Sequence, residues 1–390
     1  MAAAERPTSP GIGAVRAEFP MLERLAYFQT GTFGLMAETV LREVLDLIAF
    51  FEQRSWEVHG EVMGRVEEAR KKLATRIGAE PGEVALTRNA TDGVNLVAAG
   101  LPWGEGDEIV ISDQEHPAMS FPWRWVAQRT GAVLRRYHVE PDPEASLASL
   151  TALLTPRTRL IGTSWVTSPY GIRLPVREIC HLARERGILS LVDGAQAFGV
   201  FPVDVREVGC DFFTSNGHKW LGGPKGTGFF WARADRLIEL QPAHVGAGSC
   251  EHFSIDEGLT LHPTARRFEF GTDSHAVHAG LGPALDWFDH LGWDWISSRT
   301  ASLSTYLKEE LARVPGVTLK TPPSFERSSG LVSFQAEGVN ERALWEYLRD
   351  EWRVYPRTLA PQQLRVSTAY FNTEEEVDRL VAGVRKYLAG

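Results

Sequence analysis

The sequence predicts an α/β fold, with a large domain on a mostly parallel sheet and a smaller C-terminal α+β domain. Three observations carry this. Beyond Pro81, short β-rich runs alternate with helix-like stretches, the pattern of parallel strands with helices on both faces. Small polar clusters follow several of those runs, where open parallel sheets bind their ligands. After about Val314 the alternation gives way to a shorter mixed pattern, and 390 residues suit one large domain and a lesser one.

Taken in order, Met1 to Pro20 carries Ala, Pro, Gly and Ser without lasting periodicity and reads as a loose arm, placed over residues 1–25. A short strand at 26–28 and a turn at Gly31-Thr32-Phe33-Gly34 follow. Helical spacing runs over 39–77, interrupted near Gly60 and Gly64. The strand runs fall at 84–87, 108–112, 132–139, 160–165, 189–192, 212–215 and 228–231, which makes seven. Helical stretches at 118–130, 146–154 and 176–186 separate them. This gives a large domain over 26–275. The remainder, 276–390, holds a long helical stretch to about 314, strands at 331–335 and 363–366, and helices at 342–349 and 374–388.

Composition narrows the function. With 43% hydrophobic and 23% charged residues the chain is globular, and a net charge of −9 speaks against a nucleic-acid binder. Apolar runs such as 187–192 are far short of the roughly 20 residues a bilayer requires. Cys180, Cys210 and Cys250 are too few and too scattered for a disulfide framework or a zinc cage. The first twenty residues lack the apolar core of a signal peptide, so a cytoplasmic protein is expected. His275 and His278 have helical metal-pair spacing without a third ligand, so no metal is expected.

Only seven lysines occur, and one of them, Lys219, follows a strand in Gly217-His218-Lys219. Lys225 sits in a Gly-Pro turn and reads as a loop lysine. The strand before ends in Asp193-Gly194-Ala195-Gln196. Asp193 alone would serve equally as a turn acid. Further upstream, a strand opens into the small polar helix entrance Asn89-Ala90-Thr91-Asp92. Together these suit pyridoxal phosphate. A lysine holds the aldehyde as a Schiff base, an acid faces the pyridinium nitrogen, and free helix N–H groups take the phosphate.

The motifs Asn89 to Asn95, Glu115-His116, Val192 to Gln196, Gly217-His218-Lys219, Phe268 to Thr272 and Arg365 to Asn372 stand in family order, with a 26-residue step from Asp193 to Lys219. The sequence resembles the class V aminotransferase superfamily of fold-type I pyridoxal-phosphate enzymes, near cysteine desulfurases, cysteine/cystine C–S lyases and isopenicillin N epimerase. The resemblance implies that fold, with a seven-stranded sheet in the large domain, and pyridoxal 5'-phosphate as cofactor. It implies Lys219 as Schiff-base lysine and proton shuttle, Asp193 on the ring nitrogen, Gln196 near the ring hydroxyl and His116 against the ring face. Thr91, Asp92 and His218 would surround the phosphate. Ser168 stands where many desulfurases have an asparagine, and Asn216 where they have a serine. Arg365 would hold the substrate carboxylate, with Arg357 a second anionic clamp. Thr272 would reach the phosphate of a partner subunit, which implies a homodimer with shared sites.

Desulfurases carry a nucleophilic cysteine shortly before that arginine, and the stretch from Tyr355 to Arg365 contains none. The expected reaction is therefore β-elimination from a cysteine-derived amino acid. Epimerase or aminotransferase chemistry is the alternative. A desulfurase and a non-catalytic binding relative are the weaker readings, since a binding module has no need of a Schiff-base lysine.

Overall fold

The structure, a computed structural model, describes residues 11–359 and 362–390. Residues 1–10 of the expected arm lie outside the described residues.

Seven strands form one sheet: β1 (Val84–Thr87), β2 (Glu108–Ser112), β3 (Val133–Tyr137), β4 (Thr158–Ser164), β5 (Leu189–Asp193), β6 (Phe212–Asn216) and β7 (Gly228–Ala232). Their order is β1-β7-β6-β5-β4-β2-β3. Strands β2 to β6 run parallel, and β7 is antiparallel to both β6 and β1. The two-residue period of a strand sorts its side chains between two cores. Phe212 and Phe230 fall in one, and Phe213, Phe229 and Trp231 in the other. A sheet buried on both faces needs such near-continuous apolar strands.

The described helices used below are, in chain order, α1 (Ile12–Ala17), α2 (Glu38–Arg54), α3 (His59–Arg76), α4 (Ala90–Gly100), α5 (Pro117–Thr130), α6 (Val176–Glu185), α7 (His275–Ala279), α8 (Leu281–Leu291), α9 (Trp293–Ala312), α10 (Glu341–Trp352) and α11 (Glu374–Leu388). Val94 and Val97 of α4, with Met119 and Trp123 of α5, cover one face of the large sheet. Helices α2, α3, α6, α7 and α8 contribute to the core on the other face. The break between α2 and α3 falls at Ser55–Val58, where Ser55 takes a left-handed φ of 47°. Gly60 and Gly64 lie inside α3, where burial of Val62 and Val66 outweighs the ~1 kcal/mol helix penalty of a glycine.

Four strands make the second sheet: β8 (Val317–Leu319), β9 (Leu331–Ala336), β10 (Arg357–Leu359) and β11 (Gln363–Ser367), in the order β8-β9-β11-β10 and antiparallel throughout. Helices α10 and α11 cover it. It is tied to the large domain at one loop, where Ser333 Oγ and Gln363 Nε2 both donate to the Pro169 carbonyl (2.6 and 2.7 Å).

Two features differ from the sequence expectation. The segment from Ile12 to residue 25 is no loose arm: Val15, Phe19 and Leu22 are buried, Phe19 packs on Tyr370 and Phe371, and Arg16 pairs with Glu376. Their i, i+4, i+7 spacing is helical, hidden by the neighbouring glycines and prolines. Nor do the cores divide at 275. Ala276, Leu281 and Phe288 join the large core, α9 is shared between cores, and Ala26 and Phe28 belong to the small core. Residues Ala26–Tyr27 enter it by pairing in parallel with Val354–Tyr355.

Helix α4 rests on β6 through Gly93, where a Cβ would lie 2.2 Å from Thr214 Oγ1. Thr214 cannot give way freely, since its hydroxyl already bonds the Phe229 carbonyl (3.0 Å). Gly93→Ala should lower stability by about 1–3 kcal/mol through overpacking. It should also weaken cofactor binding, because the first turn of α4 lines the site described next. Urea unfolding and cofactor titration check both. Wild-type values in each would show that α4 is free to slide.

Candidate active site

The carboxyl ends of β4, β5 and β6 and the turns after β1 and β2 open on one cavity of about 230 Å³. Thr91, His116, Ser168, Asp193, Gln196, Asn216, His218 and Lys219 line it, together with Asn89 and Ser164. Sheet register sets the spacing: Ser164 lies opposite Asp193, and Asp193 opposite Thr214.

Lys219 follows β6 in a loop closed by Gly217 N–H to Thr227 O (2.9 Å) and Gly222 N–H to Lys219 O (3.1 Å). Burial pulls its ammonium down to about 8; Asp193 opposes the shift, and Arg365 and Arg357 add to it. Among the described residues it has no hydrogen bond or ion pair. Burial pushes the Asp193 carboxyl above the usual range, with Lys219 and the Ala195 N–H (2.8 Å to Oδ1) opposing. His116 caps α5, accepting the Ala118 N–H on Nδ1 (3.1 Å), so a neutral ring carries its hydrogen on Nε2. Burial, then Lys219 and the two arginines, hold it near 4, so it is neutral at physiological pH.

At the start of α4, Asn89 Oδ1 accepts the Asp92 N–H (3.1 Å) and Asn216 Oδ1 accepts the Ala90 N–H (3.0 Å). The Thr91 N–H is left over, as a second helical position must be without a cap. His218 Nδ1 lies 3.0 Å from the Thr227 carbonyl and must donate to it, which leaves Nε2 open to a ligand, as an acceptor in the neutral ring and as a donor once the ring is protonated. Gln196 spends Oε1 on Trp220 Nε1 and one Nε2 hydrogen on Gly31 O (2.8 Å each), leaving the second hydrogen free. The free Thr91 N–H, the spare Gln196 hydrogen and the open His218 Nε2, beside a lysine without an ion-pair partner, fit pyridoxal phosphate. Thr91, Asn216 and His218 would hold the phosphate, Asp193 the ring nitrogen and Gln196 the ring hydroxyl.

Four expected residues stand elsewhere. Asp92 is occupied, its carboxylate by Arg88 (2.7 and 2.9 Å) and its N–H by Asn89, so it offers nothing to a phosphate. Thr272 is exposed and outside this cavity. Arg365 and Arg357 lie behind the cavity wall. Arg365 is only 2% exposed, with Nη1 on Ser168 O and Oγ (2.7 and 3.0 Å) and Nε without a partner. No carboxylate pairs with either arginine among the described residues. Burial and Arg357 bring Arg365 down to about 9.

One member of the constellation carried no assigned role in the sequence. Glu115, before His116, accepts hydrogen bonds from Ser112 Oγ (2.6 Å), Ser164 N–H (2.9 Å) and Ser164 Oγ. Burial raises its carboxyl to about 7, against those hydrogen bonds and aided by the charge of Asp193. Its place in the Glu-His pair was the available signal.

A lysine without an ion-pair partner, an acid at the end of the neighbouring strand and a helix N-terminus with a free N–H, gathered at the carboxyl edge of this sheet, are the features of a fold-type I pyridoxal-phosphate enzyme. Residues 38–380 match the family model Aminotransferase class-V, and the chain belongs to that family. It is 34% identical to a cysteine desulfurase of Klebsiella pneumoniae (strain 342), over 95% of this chain and 97% of that one. Identity to isopenicillin N epimerase of Streptomyces clavuligerus is 38%, over 82% and 84% of the two chains. Among solved structures, the cystine C–S lyase C-DES in complex with its product cysteine persulfide superposes with a TM-score of 0.89 at 29% identity, covering 94% of this chain and 99% of that one. A mutant of that lyase holds glycine covalently linked to its pyridoxal-phosphate cofactor (TM-score 0.88, 29% identity, 95% and 98% covered). Pyridoxal phosphate is the cofactor of this enzyme. Among the described residues no helix is long and apolar enough to cross a membrane, and no cluster of His, Cys, Asp and Glu could hold a metal ion.

Glu115 yields a pH prediction. A carboxyl raised in the folded state contributes stability that is complete below its unfolded pKa of about 4.5 and is lost as pH rises through about 7. Glu115→Gln mimics the protonated form. Relative to wild type, its Tm should therefore gain as pH rises from 4.5 to 7.5. A constant difference between the two melting curves across that range would show that Glu115 does not titrate there.

Proposed function

We propose that this chain is a C–S β-lyase acting on a cysteine-derived amino acid. The observation that carries the reading is the placement of the thiols. Cys180 lies within α6, Cys210 two residues before β6 and Cys250 at the start of an exposed hairpin, all three buried and outside the cavity. Burial pushes the Cys180 thiol up to about 12 and the Cys210 thiol up as well, far from the thiolate a nucleophile requires. With no protein thiol in the cavity to attack the substrate sulfur, that sulfur leaves directly from Cβ. The likeness to a cystine C–S lyase supports the same conclusion.

When bound, pyridoxal phosphate supplies an aldehyde for the substrate amine and an electron sink for Cα. The protein supplies the rest. Lys219, neutral above about pH 8, takes the Cα proton. Asp193, ionised, keeps the ring nitrogen protonated. His116 stays neutral beside them and adds no charge to the cavity. Arg365, with Arg357, takes the substrate carboxylate. The identity to isopenicillin N epimerase favours a second reading, in which the Cα proton returns from the opposite face and nothing leaves.

One assay separates these. Cysteine, cystine and cysteine sulfoxide conjugates are offered in deuterated water, with pyruvate, sulfur species and Cα deuterium followed together. A lyase releases pyruvate in step with sulfur, and the Cys180→Ser/Cys210→Ser/Cys250→Ser variant keeps that turnover. Deuterium at Cα without pyruvate selects the epimerase. Turnover lost in a folded, cofactor-loaded triple variant, or a persulfide on one of the three thiols, selects the desulfurase.

We propose further that the enzyme is a homodimer with shared sites, Thr272 reaching the partner's phosphate. The exposure of Thr272 supports this, as does its anchorage: Glu269, three residues before it, is held by Arg70 (2.6 and 2.9 Å) and the Leu86 N–H (2.7 Å). Mixing Lys219→Ala subunits with Thr272→Tyr subunits should restore activity, since each heterodimer then has one intact site. Full cofactor affinity in a monomer would overturn the shared site.

A further inference from the structure

Strands β10 and β11 place Arg357 directly opposite Arg365, a like-charge pair of the kind that destabilises a sheet. Among the described residues no acid compensates them. A single hydroxyl does part of that work: Arg357 Nη1 donates to Thr32 Oγ1 (2.7 Å), and Arg365 Nη2 donates to the same oxygen (3.2 Å).

A threonine hydroxyl has two lone pairs and one hydrogen. Both lone pairs of Thr32 are taken by the arginines, and its hydrogen has no acceptor among the described residues. The Arg365 Nε–H, buried, also has none. We propose that Thr32 is a substrate-binding residue, donating its hydroxyl hydrogen to the substrate carboxylate and completing a cradle with Arg357 and Arg365. This rests on the reading of Arg365 as the carboxylate anchor.

The turn that carries Thr32 is fastened to the cavity wall. Gln196 Nε2 donates to the Gly31 carbonyl (2.8 Å), and the Gly31 N–H donates to Ser367 Oγ (3.1 Å). The Gly34 N–H donates to the His218 carbonyl (2.9 Å), and Lys225 Nζ donates to the Gly34 carbonyl (2.7 Å). Gly34 has no room for a side chain, since a Cβ there would sit 1.7 Å from the Lys219 carbonyl oxygen. The residues flanking the Schiff-base lysine thus fix the hydroxyl, and a group so preorganised loses little freedom when a ligand arrives.

The test uses holoenzyme and reads the cofactor absorbance during titration with L-alanine and with ethylamine, which is alanine without its carboxylate. Neither compound carries a sulfur leaving group, so the lyase assignment does not enter. Wild type should prefer L-alanine. Thr32→Val should weaken L-alanine about tenfold to a hundredfold, the range of a hydrogen bond to a charged group, and leave ethylamine within about twofold. Thr32→Ser should restore L-alanine binding. Three results overturn the proposal: Thr32→Val binds L-alanine as wild type does, Thr32→Val loses both ligands equally, as a merely structural residue would, or Thr32→Ser fails to rescue. A wild-type enzyme that does not distinguish the two ligands overturns the carboxylate anchor, and Thr32 with it.

Discussion

Asp193 closes β5 and Lys219 follows β6, so neighbouring parallel strands deliver opposite charges to one cavity, where Asp193 is buried, Lys219 is half-buried and the two form no ion pair with each other. Burial raises the acid and lowers the amine, and each moderates the other. A charge removed from water and left unpaired is costly unless a ligand compensates it. The rest of the cavity follows from that constraint. Sheet register holds the two strand ends apart, Gly217 and Gly222 close the lysine loop, and Gln196 beside them keeps one donor in reserve.

The second sheet adds the opposite half of the recognition problem. Its β10–β11 edge sets two guanidiniums behind the cavity wall, while the α4 end presents backbone and amide donors. One wall therefore suits a carboxylate and the other a phosphate. Asp193, which lines the same cavity, would hold the ring nitrogen of the cofactor. Small-domain docking at Pro169 fixes the separation, because Ser333, Gln363 and, through Ser168, Arg365 all grip the same short loop after β4. A substrate anchored by Arg365 would then be held by both sheets at once.

Much of this was legible in the sequence, for physical reasons that differ by element. The seven strands read clearly because apolar runs buried on both faces are short, β-rich and bounded by turn residues. Boundaries in the N-terminal part read poorly. Glycines at 60 and 64 looked like breaks, yet α3 buries enough apolar surface to carry them, and the actual break at Ser55 has no glycine to announce it. The strand at 26–27 belongs to a core more than three hundred residues away in sequence, which no local pattern reveals. In the site, residues directly after strands fall together in one cavity because chain position alone puts them at the carboxyl edge. Asp92 was misread because a helix-start acid looks free until Arg88 and Asn89 are seen to occupy it. Thr32 carried no signal, its partners lying 325 and 333 positions away.

The proton balance beneath the cavity joins these observations. Glu115 and Asp193 meet at Ser164: the serine's N–H and hydroxyl hold Glu115, and its backbone lies in register with Asp193 on the next strand. Two nearby buried carboxyls do not both ionise readily, since each charge raises the other's pKa. Lys219 lowers Asp193 and not Glu115, while Glu115, raised to about 7, has hydroxyls that can accept as well as donate. The lysine thus favours the negative charge on Asp193 and the proton on Glu115. That is the distribution a pyridinium nitrogen requires, because an ionised Asp193 holds the ring proton that makes the ring an electron acceptor. Removing the proton from Glu115 at higher pH would place a second charge behind Asp193 and raise its proton affinity, so the two carboxyls act as one coupled unit rather than as a site residue and a bystander.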